Sequence, residues 1–415
     1  LEYYRKSNRW HEYDLRATDT LLLYISYAEQ AKLLGYDWFF ESKLYKPLPK
    51  LSQTNLIAVA VAVDHQQLSE LIEVYTPDSD DYQKLIDSYL HVVKFEELNL
   101  PKYTQRGLRQ VGDKLKNREV LLVRMEMVDV DLSDVRRDVN WYDATLETAV
   151  KQFQRLHGLT DDGIIGPDTI RWLNISPSER LSILALNAER GRLWPIERDT
   201  IIVVNVPGFE MKYWYSGQEV FESKVVVGRK GRPTPMMTTK LDSLILNPTW
   251  NVPWKIMVED IIPKVKEDPE YLVRQNITIV PKWGSKELIN PEDIDWQNMR
   301  PSAFPYRMTQ LSGNNNALGL YKFNTPNRRA IYLHDTPSKN LFDEASRAFS
   351  SGCIRVEHAD QFATRLLESQ GLDMSTLDEE ELAANKSIPL KQRVPVHIIY
   401  QTAWSEGGKI HYRDD

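Results

Sequence analysis

Cysteine is almost absent from this chain, because Cys353 is the only one among 415 residues. A single cysteine excludes an intramolecular disulfide, so cysteine usage does not identify the cellular compartment. Long hydrophobic runs are missing too, since no apolar stretch reaches the roughly 18 residues of a membrane-spanning helix. Because the chain begins at Leu1 rather than Met, we expect an N-terminal signal or membrane anchor to precede it.

Basic charge is not in excess. Lys and Arg number 52 against 59 Asp and Glu, which gives a formal net charge of −7 at pH 7. Nucleic-acid-binding proteins need a basic patch to neutralise phosphates, so we expect no nucleic-acid partner. The eight histidines are dispersed, and they form neither a His-Glu-x-x-His motif nor a pattern with paired cysteines. We therefore expect neither a metal nor an organic cofactor.

The length predicts two to four domains, and the first is mainly helical. Residues 1–105 contain "TDTLLLYISYAEQAKLLG" and "DDYQKLIDSYLHVVKF", whose apolar residues recur near the helical period. The segment "SQTNLIAVAVAVDHQQ" alternates Ala and Val, so a strand and a buried helix both fit it. No catalytic pattern occurs here, and we predict a scaffold domain.

Residues 106–175 end in a helical hairpin. In "YDATLETAVKQFQRLHGLTDDGIIGPDTIRWLN", apolar residues follow helical spacing, Gly158 occupies a left-handed C-cap position, and a second helix begins at Pro167. The Phe-Gln pair and the Asp-Gly-x-x-Gly turn resemble the three-helix peptidoglycan-binding domain of cell-wall enzymes. Next, Ser176, Pro177 and Glu179 form a capping box, which predicts a connecting helix over residues 176–197.

A β-rich domain is predicted over residues 198–404, because "DTIIVVNVPGFEMKYWYSGQEVFESKVVVGR" alternates and is broken by Pro-Gly and Ser-Gly turns. Residues 258–305 interrupt it with helical pieces and prolines. This stretch is too long for a loop in a compact domain, so we predict an inserted subdomain that caps the site. Residues 405–415 are predicted to be a C-terminal tail. The fold class is therefore multidomain α+β.

Cys353 is the candidate nucleophile. A catalytic thiol needs access, a neighbour that favours the thiolate and donors for the oxyanion that its attack creates. Gly352 permits close backbone approach, and the amides of residues 351–353 are candidate oxyanion donors. In "AIYLHD" the side chains alternate, so Tyr332 and His334 share one face and His334 emerges at a strand end, where a base is held rigidly. The alternative is an inert, buried thiol.

The chain has a histidine, His334, and then, after residues 335–349, the motif Ser-Ser-Gly-Cys353-Ile-Arg355-Val. This pattern resembles the signature of the L,D-transpeptidase (YkuD-type) family. "GRKGRPTPMMTTKLDSLILNPTWNVP" adds the Arg-x-Thr-Pro and Asn-Pro-x-Trp elements of large Gram-negative members. The resemblance spans roughly residues 106–404. Two positions depart from the family pattern: Ser351 replaces a second histidine, and Asp335 follows His334 where many members have glycine or serine.

The resemblance implies that Cys353 is ionised, is exposed by its loop and acts as nucleophile, with His334 as general base and acid. It further implies oxyanion stabilisation by the Gly352 backbone and orientation of His334 by a backbone carbonyl near Asp335. Tyr332, Ser351 and Arg355 are candidate substrate-binding residues, although for Arg355 a structural salt bridge and for Tyr332 core packing fit equally well.

The implied activity is formation of 3→3 cross-links in peptidoglycan through a cysteine thioester, in the periplasm of a Gram-negative bacterium. Expected partners are peptidoglycan stem peptides, carbapenems as covalent inhibitors and other cell-wall synthesis enzymes. Two alternatives remain open. One is an L,D-carboxypeptidase, in which water replaces the acceptor amine, and the other is a peptidoglycan-binding scaffold with a silent thiol.

Overall fold

The computed structural model describes residues 1–40, 48–376 and 383–414. The helices are α1 Glu2–Lys6, α2 Trp10–Phe40, α3 Gln53–Asp64, α4 Leu68–Val74, α5 Asp80–Val93, α6 Arg118–Glu126, α7 Ala144–Leu156, α8 Pro167–Leu173, α9 Pro177–Arg190, α10 Trp254–Ile256, α11 Ile262–Glu267, α12 Tyr271–Arg274 and α13 Ala359–Ser369. The strands are β1 Ile201–Asn205, β2 Glu210–Tyr215, β3 Gln218–Gly228, β4 Met237–Leu246, β5 Trp250–Asn251, β6 Ile277–Val280, β7 Arg307–Gln310, β8 Tyr321–Asn324, β9 Leu333–His334, β10 Ala348–Ser350, β11 Ile354–Val356, β12 Lys386–Ile399, β13 Ala403–Glu406 and β14 Lys409–Tyr412.

The chain divides into two compact units, residues 1–196 with 401–415 and residues 197–400. The predicted multidomain α+β class is confirmed, with a helical N-terminal region and a β-rich second unit. Among the described helices, none combines the length and apolar character that crossing a membrane requires.

The first unit is helical, as predicted. The ambiguous Ala and Val segment forms α3, which starts at Ser52, whose hydroxyl accepts a hydrogen bond from the Asn55 amide at 3.1 Å. Of the two readings left open, the helix is therefore the correct one, although only its Val59 and Ala62 are buried. Helix α9 begins with the predicted capping box and packs along α5.

The structure explains the sequence pattern of the hairpin α7–α8. Gln154 is buried, and its side chain accepts a hydrogen bond from the Gly163 amide at 2.9 Å and donates to the Ile164 carbonyl at 3.0 Å. The glutamine therefore fixes the Asp-Gly turn that leads into α8. Gly158 has a φ of +63° after α7, as a left-handed C-cap requires.

The predicted C-terminal tail is a β-hairpin. Strands β13 and β14 pair antiparallel from Ala403 to Tyr412, and they pack against α5, α7 and α9 in the first unit. Ala403, Ile410 and Tyr412 are buried in its core. Residues 405–415 are therefore not a tail, because burial of Ile410 and Tyr412 in this core fixes their structure.

The second unit is built on one nine-stranded sheet in the order β10-β3-β11-β9-β8-β4-β12-β1-β2. Strand β2 also pairs with β3, so the sheet closes on itself. Helix α13 covers one face, and its Phe362 contacts the rings of Phe221 and Phe323. Alternation then directs Phe323, Leu333 and Ile354 into this core and their sequence neighbours to the other face.

The inserted subdomain is larger than predicted. Strands β4 and β8 are neighbours, paired from Ser243 to Leu246, and the chain between them leaves the sheet. It forms α10, a π-helical turn over Met257–Ile261, α11, α12 and a small sheet in the order β5-β7-β6, with its own apolar core. The predicted bounds, 258–305, omit β5 and β7, because the Asn-Pro-x-Trp segment was assigned to the main sheet.

Candidate active site

The loop between β10 and β11 carries Cys353. Ser350 lies at its base, where its hydroxyl donates to the Cys353 carbonyl at 2.6 Å and accepts from the Gly352 amide at 3.0 Å. Gly352 has a φ of +118°, which only glycine adopts readily, and its carbonyl accepts from the Thr234 hydroxyl at 2.8 Å. The Thr234 oxygen also accepts from the Gly228 amide at 2.8 Å, so the turn after β3 holds the loop in place.

The structure brings the predicted side chains to one face of the sheet. His334 is opposite Arg355 of β11, and Ile354 is opposite Leu333, with the Ile354 amide donating to the Tyr332 carbonyl at 3.0 Å. Cys353 therefore lies beside Tyr332. Successive residues of a strand alternate, so Leu333 and Ile354 point into the core. The side chains of Tyr332, His334, Cys353 and Arg355 share the opposite face, which α13 does not cover.

His334 is buried and oriented by the neighbouring backbone. Its Nδ1 is 2.5 Å from the Asp335 carbonyl oxygen, so Nδ1 carries the proton and Nε2 keeps its lone pair. The Asp335 carboxylate in turn accepts from the Leu320 amide at 2.9 Å and pairs with Lys339. Burial, with smaller contributions from the nearby cations Arg355 and Lys322, lowers the pKa of His334 to about 3, so the imidazole is neutral at pH 7.

The thiol of Cys353 is half-buried and borders polar groups. Its Sγ is 3.6 Å from the Ala330 carbonyl oxygen, and the Tyr332 phenol and amide lie within hydrogen-bonding reach. Within residues 1–40, 48–376 and 383–414 no hydrogen bond joins Sγ to the imidazole. Burial raises the pKa of the thiol, although Tyr332, Lys322 and Arg355 oppose the effect. The expectation of an ionised resting sulfur was therefore wrong.

The amides of residues 351–353, predicted as candidate oxyanion donors, are not all available in this structure. The Gly352 amide is occupied by Ser350 Oγ, so it is not free to bind an oxyanion in this arrangement. Within the described part of the chain, the Cys353 amide makes no hydrogen bond. The candidate oxyanion donor is thus the amide of Cys353 rather than that of Gly352.

Ser351, a predicted substrate-binding residue, serves as an anchor of the loop. Its hydroxyl accepts from Arg232 Nη1 at 2.8 Å, and the buried Arg232 side chain also pairs with Asp260 and Glu259 of the inserted subdomain. These two carboxylates lie on the π-helical turn. Sequence reasoning noted the Arg-x-Thr-Pro element but gave Arg232 and Thr234 no role, because their partners come from distant segments.

Lys322 is a site residue that sequence reasoning missed. It lies on β8 directly opposite His334, and its Nζ is 4.5 Å from the Tyr332 ring centroid. The only indication in the sequence was strand alternation. Lys322 lies next to the core residue Phe323, so its side chain points to the face opposite α13. Burial lowers the pKa of Lys322, whereas Cys353 and Asp242 raise it.

Two family models match this chain. Residues 199–396 match the model described as "L,D-transpeptidase catalytic domain" (YkuD), and residues 130–173 match the one described as "Putative peptidoglycan binding domain". Residues 199–396 are therefore similar to a YkuD-type L,D-transpeptidase catalytic domain and residues 130–173 to a peptidoglycan-binding domain, which confirms the resemblance predicted from the sequence.

A curated protein of Haemophilus influenzae, named "Putative L,D-transpeptidase", is 43% identical over 229 residues. The match covers 55% of this chain and 46% of that protein, so this chain spans about half the length of its curated relative. Among solved structures, L,D-transpeptidase 3 from Mycobacterium tuberculosis is 13% identical with a TM-score of 0.24, covering 48% of this chain and 60% of that one. The L,D-transpeptidase from Mycobacterium smegmatis is 10% identical with a TM-score of 0.24, covering 48% and 58%.

Proposed function

We propose that this protein is a cysteine-dependent L,D-transpeptidase that forms 3→3 cross-links in peptidoglycan. The observation that carries the proposal is the shared face of Cys353 and His334, where a neutral imidazole is oriented with Nε2 unprotonated. Its support from sequence is the catalytic-domain match over residues 199–396.

The first half-reaction transfers an acyl group to sulfur. His334 Nε2 takes the thiol proton as Sγ attacks the carbonyl carbon of the third residue of a stem tetrapeptide. The Cys353 amide donates to the oxyanion, a contribution typically worth about 3 kcal/mol. The carbon–nitrogen bond then breaks, the imidazolium protonates the leaving amine, and D-alanine departs from the thioester.

The second half-reaction regenerates the thiol. The side-chain amine of diaminopimelate in another stem attacks the thioester carbonyl and gives up a proton to His334. The carbon–sulfur bond breaks, the sulfur recovers this proton, and a 3→3 cross-link remains. We assign substrate contacts to Tyr332 and Arg355, both half-buried on the same face.

A muropeptide assay tests the proposal. Purified protein is incubated with disaccharide tetrapeptide, and the products are identified by mass spectrometry, with Cys353→Ala as control. Dimers that lack one D-alanine are expected. Tripeptide monomer without dimer would instead show a carboxypeptidase that uses water, whereas the absence of both products would indicate a binding scaffold.

The proposal has two corollaries. The substrate lies outside the cytoplasmic membrane, so we place the protein in the periplasm of a Gram-negative bacterium, where other cell-wall enzymes are possible partners. Carbapenems present a reactive carbonyl to the same sulfur, so we expect covalent acylation. Intact-protein mass spectrometry should show the adduct on the native chain and none on Cys353→Ala.

A further inference from the structure

Two cationic side chains flank His334 across the sheet. Lys322 of β8 and Arg355 of β11 are each directly opposite His334, so Lys322, His334 and Arg355 form one row on the uncovered face. Cys353 lies two residues before Arg355, at the end of the loop that leads into β11, and its charge state affects the pKa of both cations. One cation therefore lies on each side of the His334 imidazole, and both are close to the nucleophile.

Neither cation forms an ion pair in the part of the chain that the structure describes, although Lys322 lies over the Tyr332 ring and is influenced by the more distant Asp242 carboxylate. No carboxylate lies within 4.0 Å of Lys322 Nζ or of the Arg355 guanidinium, and Arg355 Nε is buried without any hydrogen bond. Both side chains are half-buried, and burial lowers the pKa of each. Partly desolvated charges without partners are costly to a fold, and proteins retain them mainly where they bind an opposite charge.

We propose that Lys322 and Arg355 form a subsite for a carboxylate of the stem peptide. The inference rests on the proposed function, which it deepens. In the donor stem, only a nitrogen and a Cα separate the scissile carbonyl from the terminal carboxylate of the leaving D-alanine. That carboxylate is therefore roughly 4–5 Å from the carbon attacked by Sγ. Arg355 is two strand residues, about 7 Å, from Cys353, so its guanidinium reaches this position.

A subsite of this kind selects for chain length. A tetrapeptide presents its carboxylate beside the scissile bond, whereas a pentapeptide has a neutral amide there. The second carboxylate of the stem, on the diaminopimelate side chain, has the same chemistry but lies farther from the scissile carbon. Peptides that lack one or the other carboxylate distinguish these two sources.

The test compares three synthetic stem tetrapeptides: the free acid, the C-terminal amide and a peptide with the diaminopimelate side-chain carboxyl converted to a carboxamide. The values of kcat/KM are measured for the native chain, Lys322→Met, Lys322→Arg and the strand control Lys240→Met, whose side chain is exposed. We expect the native chain to prefer the free acid, and Lys322→Met to reduce that preference by about 10-fold to 100-fold. Lys322→Arg should restore most of it, and Lys240→Met should leave it unchanged.

The carboxylate that is bound is the one whose conversion to an amide lowers kcat/KM of the native chain. An equal loss for all three peptides in Lys322→Met would overturn the proposal, because a residue that only stabilises the thiolate or the fold does not discriminate between them. An unchanged preference would overturn it as well. To separate this outcome from failure of the proposed function, binding of the free acid and the C-terminal amide is also measured by calorimetry on Cys353→Ala with and without Lys322→Met, where no chemistry is required.

Discussion

Replacement of Arg232 by Met tests whether the inserted subdomain positions the nucleophile loop. The Arg232 side chain is 8% exposed, whereas its partners Asp260 and Glu259 are 31% and 47% exposed. The two carboxylates regain water when the arginine is removed, so each pair is worth far less than a buried one. With the lost hydrogen bond to Ser351, we estimate a destabilisation of roughly 2 kcal/mol. For a unit of this size, the melting temperature should fall by roughly 4–8 °C.

The catalytic effect should exceed what this destabilisation explains. Ser351 immediately precedes Gly352 and Cys353, and a small displacement of a reacting atom is costly. We expect the rate of carbapenem acylation, followed by intact-protein mass spectrometry well below the melting temperature, to fall about tenfold. The control Arg365→Met removes an exposed pair on α13 and should change stability by under about 0.5 kcal/mol. A double-mutant cycle with Ser351→Ala should be non-additive. Native acylation rates in Arg232→Met would refute the coupling.

Three further predictions concern the site and its support. Because burial raises the pKa of the Cys353 thiol above 9.0, its alkylation by iodoacetamide should accelerate with pH and inflect above that value, and an inflection near neutrality would contradict the assignment. Because the pKa of His334 is about 3, kcat/KM should show no histidine limb between pH 5 and 7, and a limb near pH 6.5 would show that the imidazole is not shielded as described. Gly319→Ala should destabilise the protein by about 2 kcal/mol and slow acylation, since φ is +59° and a Cβ there would clash with the Asp335 carboxylate. Gly217→Ala, also at positive φ but in open space, is the matched control, and equal melting points for the two variants would contradict the clash.

Arg232 joins the Cys353 loop to Asp260 of the inserted subdomain, and the stability that this ion pair contributes should depend on pH. Burial alone would raise the pKa of the Asp260 carboxyl, but Arg232 and Arg229 bring that pKa below its ordinary value of 3.8. The pair therefore contributes its full stability above pH 3.8 and loses it as the pH falls through the lower, folded-state pKa. Asp260→Asn should remove this part of the acid sensitivity in melting curves, while the native chain keeps it.

The amino-acid sequence by itself determined the features that depend on local pattern. Periodicity and capping residues predicted α7, α8 and α9, and strand alternation placed Tyr332 and His334 on one face and Leu333 in the core. The Ser-Ser-Gly-Cys-Ile-Arg motif and the preceding His334 identified the class of the catalytic domain, because the candidate nucleophile and base lie close together in the sequence.

Only the tertiary structure decided what depends on contacts between distant segments. Burial, rather than the residue types around Cys353, sets the protonation of the thiol, and Ser350 rather than an oxyanion occupies the Gly352 amide. Strand order brings Lys322 opposite His334, and packing makes a hairpin of the predicted tail. Desolvation and cross-strand pairing are properties of the folded chain, and they have no counterpart in sequence spacing.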